Sequence, residues 1–130
     1  METMPYLAIR SAASLIVLER GFVRNYPLDA KNLWRIGRKN PETENDIELE
    51  SKIVSRKHGY IQNIDGEWYY VESGSLNGTY YNGKKIAMNE NSEYEAVKLS
   101  NGDILRVDSD NLENPEERGV LLIFTTEGIG

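Results

Sequence analysis

The chain has 130 residues, the size of one ordinary domain, and its 39% hydrophobic and 28% charged residues exclude bulk disorder. The absence of cysteine excludes a disulfide framework, a thiolate zinc site and a cysteine nucleophile. Net charge is −6, which argues against DNA or RNA as the partner, because such domains usually show a net basic face. The charge is uneven: Trp34 to His58 carries six basic and five acidic residues, so this segment is +1 and the rest of the chain is −7. An anion site, if the chain has one, belongs in this segment.

From the N-terminus, Met1 to Leu18 is mildly apolar but does not read as a signal peptide. Glu2 stands where a positive region belongs, and Arg10 interrupts any apolar core. No run approaches the roughly 18 apolar residues of a membrane span. The expectation is a cytoplasmic chain without membrane insertion. Residues 1–11 form a tail, 12–127 one domain, and 128–130 a second tail.

Strand-like runs then follow at Leu15–Glu19, Phe22–Tyr26, Leu33–Gly37, Gly59–Ile64, Glu67–Glu72, Thr79–Tyr81, Ala96–Leu99, Ile104–Val107 and Val120–Thr125. They are rich in β-branched and aromatic residues and bounded by Gly, Asn, Asp and Ser. Asp65-Gly66, Asn77-Gly78, Asn82-Gly83 and Asn101-Gly102 are hairpin signals, because both residue types tolerate positive φ. The spacing predicts two packed antiparallel sheets. Lys39–Asp46, with Pro41, and Asp108–Arg118, with Pro115, read as loops. Residues 89–96 read as a short helical turn.

Four motifs in order carry a family resemblance: Gly37-Arg38, then Ser55-Arg56-Lys57-His58, then Asn77-Gly78-Thr79, then Asn82-Gly83. The strings Trp34–Arg38, Val54–His58, Gly74–Gly83 and Leu99–Leu105 add to it. Together they resemble forkhead-associated (FHA) domains, of the bacterial type, over roughly residues 12–127. The resemblance implies an all-β, two-sheet antiparallel sandwich of about 11 strands. Its loops at one end would hold a phosphothreonine peptide from a partner protein, with no cofactor and no metal. Arg38, Ser55 and Arg56 would bind phosphate. Asn77 would bond the peptide backbone, with Leu76 and Tyr81 beside the peptide. Gly37, His58, Gly78, Thr79, Asn82 and Gly83 would support the loops. Leu76 departs from the Ser or Thr of many relatives. The implied partners are a Ser/Thr kinase or its substrates, met by a monomeric domain that is no enzyme.

The chemistry is sensible on its own terms. A phosphate dianion asks for forked cationic donors and short hydroxyls. Selectivity for threonine is harder to supply, since one buried methyl is worth only about 0.8 kcal/mol, and the stiff β-branched rotamer must contribute. Binding is expected to weaken below about pH 6, where phosphate gains its second proton.

Plainer roles stand beside these. Arg38 could be a surface arginine paired with the acidic loop 42–50, Ser55 a turn cap, and Arg56 with Lys57 a solvated pair. His58, the only histidine, is a poor metal candidate and better suited to a buried brace. Asn77-Gly78 is a turn former first. Two functional alternatives remain: a phosphorylation-independent interaction domain using a sheet face or the 108–118 loop, and a hydrolase using Ser55 and His58. Thr3, near the N-terminus, could act as an internal phosphosite folding back on the domain.

Overall fold

The structure is a computed structural model, described here for residues 13–107 and 120–126. Among these residues eleven strands form two sheets. In chain order they are β1 (Ser14–Glu19), β2 (Phe22–Pro27), β3 (Leu33–Arg38), β4 (Ile47–Leu49), β5 (Gly59–Ile64), β6 (Glu67–Glu72), β7 (Tyr80–Tyr81), β8 (Lys84–Lys85), β9 (Val97–Lys98), β10 (Ile104–Arg106) and β11 (Leu121–Thr125). One sheet runs β2-β1-β11-β10-β7-β8, the other β4-β3-β5-β6-β9. The two-sheet sandwich is the expected fold. The tail residue Thr3 and the acidic 108–118 loop lie outside the described residues. Among the described residues no helix is long and apolar enough to cross a membrane.

Alternation explains the layering. Leu15 and Val17 of β1, Leu122 and Phe124 of β11, Ile36 of β3, Ile61 of β5, and Trp68 with Tyr70 of β6 all point inward and are buried. Each large aliphatic side chain so buried contributes roughly 1.5–3 kcal/mol. The same phase turns two carboxylates inward, Glu19 at the end of β1 and Glu72 at the end of β6, each 4% exposed. Both are satisfied by hydrogen bonds, as burial demands. Glu19 accepts the backbone N–H groups of Glu50 and Ser51, each at 2.8 Å, and pairs with Arg24 at 3.1 Å. This clamp fastens the first sheet to the loop that follows β4.

Three details depart from expectation. β4 and β8 were not visible as runs, being three and two residues long. β4 also runs parallel to β3, pairing Ile36 with Ile47 and Arg38 with Leu49, so one pair in the sandwich is not antiparallel. The eight-residue link 39–46 suffices because only three residues pair. Residues 89–96 hold no helical turn; Asn89 Oδ1 instead accepts the N–H groups of Asn91 and Glu93, a local bond that competes with helix.

The four Asx-Gly pairs divide. Asp65-Gly66 and Asn82-Gly83 are two-residue hairpin turns with both residues at positive φ (53° and 87°, 48° and 88°). Asn77-Gly78 and Asn101-Gly102 have only the glycine there, and both lie where the chain crosses from one sheet to the other. The connections 39–46, 50–58 and 73–79 are stitched together at one end of the sandwich, and that end carries the site.

Candidate phosphate-binding site

The end of β3 presents the first residues. Gly37 is buried and must be glycine, because a Cβ there would stand 1.9 Å from the carbonyl oxygen of Arg56 and 2.7 Å from Asn45 Nδ2. Removing the side chain lets the 50–58 loop press against β3. Arg38 N–H then donates to Ser55 O at 3.0 Å, which sets Arg38 beside Ser55. Arg38 is half-buried as a residue, and its guanidinium donates from Nη1 to Lys52 O at 3.1 Å in an exposed bond. It does not pair with the acids of the 42–50 loop. The arginine that does is Arg56, 3.3 Å from Glu42 and exposed.

The remaining loops are tied to this pair. Ser55 Oγ accepts the N–H of Leu76 at 2.9 Å. That bond uses a lone pair of the hydroxyl and leaves its proton to donate outward. Asn77 Nδ2 donates to Ile53 O at 2.9 Å. Leu76 between them is 88% exposed. Arg38, Ser55, Arg56, Leu76 and Asn77 therefore share one surface. Asn45 closes it from the third loop, donating to Arg56 O at 2.8 Å.

Beneath lies a buried network. His58 is fully buried. Its Nδ1 accepts the N–H of Ser55 at 3.1 Å, so the ring proton sits on Nε2, which is 3.0 Å from Gly78 O and from Thr79 Oγ1. Thr79 Oγ1 donates to Glu72 at 2.6 Å, and Tyr70 OH lies 3.0 Å from both. Glu72 also accepts from the Ser75 backbone at 2.7 Å and from the Ser75 hydroxyl. His58 thus joins the loop bearing Ser55 to the loop bearing Asn77. Neither of its nitrogens faces the Ser55 hydroxyl, so the pair is not arranged for nucleophilic catalysis.

Burial pushes His58 below its ordinary value of 6.5, although the Glu72 charge opposes the shift. Burial also pushes Glu72 up, but the Ser75 and Thr79 hydrogen bonds outweigh it and hold the carboxyl below 4.5. A neutral histidine thus lies over a charged carboxylate. Both folded values are depressed, so the unfolded chain takes up protons first as pH falls. Thermal stability of the unliganded protein is expected to fall from pH 6.5 downward as His58 is forced to charge, and further below pH 4.5. Melting curves across pH 4–8 measure this, and a flat profile between pH 7 and 5 would contradict it.

Three sequence-predicted residues sit apart. The Tyr81 hydroxyl donates to Asp103 at 2.7 Å, a bond that with burial raises its pKa. Asn82 donates to the other oxygen of Asp103 and accepts the N–H of Ile104, while Gly83 completes the β7–β8 turn. These residues support the β7–β10 side of the sandwich, and Tyr81 is not brought to the surface that carries Arg38 and Ser55. Glu72, Ser75, Tyr70 and Asn45 were not foreseen. The inward phase of β6 was a signal for Glu72. Ser75, Tyr70 and Asn45 had no local signal.

The sequence model of the FHA domain matches residues 34–108, which span β3 to β10 and include every residue of this site. The chain belongs to the FHA family. Among relatives of this FHA chain, the glycogen accumulation regulator GarA of Mycolicibacterium smegmatis is 29% identical over 103 residues, covering 75% of this chain and 55% of that protein. The oxoglutarate dehydrogenase inhibitor of Corynebacterium diphtheriae is 41% identical over 64 residues, covering 49% and 39%. The chain thus spans about half or less of these relatives. Its fold matches the N-terminal FHA domain of Saccharomyces cerevisiae Rad53p, solved with a phosphothreonine peptide, at TM-score 0.67 and 23% identity, covering 88% of this chain and 92% of that one. Glu19 lies outside the matched FHA region yet clamps the start of the 50–58 loop within it.

Proposed function

We propose that this FHA domain is a phosphothreonine-dependent interaction module acting in the cytoplasm. Its partner is a protein phosphorylated by a Ser/Thr kinase, or the kinase itself. FHA domains are interaction modules rather than enzymes. Arg38 and Arg56 supply cationic donors to the phosphate and Ser55 supplies its hydroxyl proton. Asn77, fixed through Ile53 O, bonds the peptide backbone beside it. Leu76 offers apolar surface to the peptide. The observation that carries this reading is the stitching of Arg38, Ser55 and Asn77 onto one surface by bonds that leave the Ser55 proton and most Arg38 donors outward.

The contact is small and made on loops, so it is expected to be transient. The test is a fluorescence-anisotropy titration with matched phosphothreonine, phosphoserine and unphosphorylated peptide pools. Binding of the phosphothreonine pool alone is expected. Equal binding of the unphosphorylated pool would sink the reading and move attention to phosphorylation-independent partners.

A further inference from the structure

Among the described residues, Arg56 is the phosphate ligand that already has an anionic partner. Its Nη1 lies 3.3 Å from Glu42 Oε1, whereas Arg38 donates only to a neutral carbonyl. The Arg56 and Glu42 side chains are 56% and 76% exposed, so their attraction is small and screened by salt. A phosphate dianion brings more charge and more acceptor oxygens than one carboxylate, and it displaces Glu42.

Glu42 does not leave with the exchange. Asn40 Oδ1 accepts the N–H groups of Glu42 and Thr43, each at 2.9 Å, and Asn40 Nδ2 donates to Arg38 O at 2.7 Å. The turn that bears Glu42 is therefore pinned to the strand end that bears Arg38. Glu42 also borders a groove of about 490 Å³ shared with Arg35, Glu44, Lys57 and Tyr60. Arg35 shares Asp46 with Lys31, at 3.3 and 2.5 Å, and Glu44 and Lys57 are opposite in sign. Once Arg56 turns to a phosphate, Glu42 keeps no ion-pair partner within 4 Å among the described residues.

We propose that Glu42 is a specificity-determining residue of the site: it occupies Arg56 in the free domain, and after displacement it selects ligands carrying a basic side chain beside the phosphothreonine. This rests on the assignment of Arg56 to the phosphate. The free domain weakens every phosphopeptide slightly by holding Arg56. A ligand with an arginine or lysine that reaches the groove recovers the loss by pairing with the released carboxylate.

The experiment compares two phosphothreonine peptides, one flanked on both sides by alanine and one by arginine. They are titrated by anisotropy against the wild type, Glu42→Gln, Arg56→Ala, the double variant and Arg38→Ala. Glu90→Gln serves as a control with the same charge change on an exposed turn outside the 39–46, 50–58 and 73–79 connections. Glu42→Gln is expected to bind the alanine-flanked peptide about two- to fivefold more tightly than the wild type, and to lose a similar preference for the arginine-flanked one. In the Arg56→Ala background the first gain disappears, because there is no cation left to release. Effects no larger than those of Glu90→Gln, with binding still weakened by about tenfold or more in Arg38→Ala, would overturn this inference alone. Failure of the wild type to bind either phosphopeptide would overturn the phosphate-site reading and this inference with it.

Discussion

Arg38→Ala is expected to weaken phosphothreonine-peptide binding by about 10- to 100-fold or more while leaving the fold intact. Charge-assisted hydrogen bonds are worth roughly 1.5–3 kcal/mol each, and every 1.4 kcal/mol is tenfold in affinity. Arg38 is half-buried as a residue, and its guanidinium is anchored by one exposed bond to Lys52 O, which leaves its other N–H groups for a ligand. The backbone N–H to Ser55 O bond, which holds the loop, survives the substitution. Arg38→Lys should recover only part of the loss, since an ammonium keeps the charge but not the planar fork. Anisotropy titration with a melting curve on the same samples measures both parts. An Arg38→Ala protein with wild-type affinity would remove Arg38 from the site.

Gly37→Ala is expected to cost stability and binding together. The added methyl would stand 1.9 Å from a backbone oxygen, which cannot swing aside as a side-chain end can. Either β3 or the 50–58 loop must move. Overpacking costs typically 1–3 kcal/mol, and a backbone clash of this kind belongs at the upper end, about 3 kcal/mol or roughly 10 °C in Tm. The loop that moves carries Ser55 and Arg56, so phosphopeptide affinity should fall by about tenfold or more in molecules that remain folded. Gly83→Ala is the contrast. It carries a positive-φ cost that Gly37 does not, with φ at 88°, but meets no atom within 4 Å and lies away from the site. A Gly37→Ala protein as stable as the Gly83→Ala protein would show that the loop yields freely.

Much of the fold was legible because its information is local. Alternation along Leu15–Glu19 and Glu67–Glu72 marks strands with one buried face, and Asp65-Gly66 and Asn82-Gly83 mark the turns that join strands. β4 and β8 were illegible because two or three residues cannot show a period. The β4–β3 pairing is parallel for a reason that lies in the 39–46 link rather than in Ile47–Leu49 itself.

The site divides along the same line. Its chemistry was legible as residue types in order: a glycine and arginine closing one run, serine and arginine before the lone histidine, an asparagine before a glycine. That order determined the family and the ligand class expected. What only the tertiary structure decided was who is free and who is held. Arg56 faces Glu42 while Arg38 does not, although both precede or follow the same acidic stretch. Tyr81 is tied to Asp103, 22 residues away. Glu19 and Glu72 are charged residues at inward positions, and that burial is made tolerable by the distant 50–58 loop for Glu19 and by the adjoining 73–79 connection for Glu72. Residue type is a property of one position, whereas a hydrogen-bond partner is a property of two positions that the fold brings together.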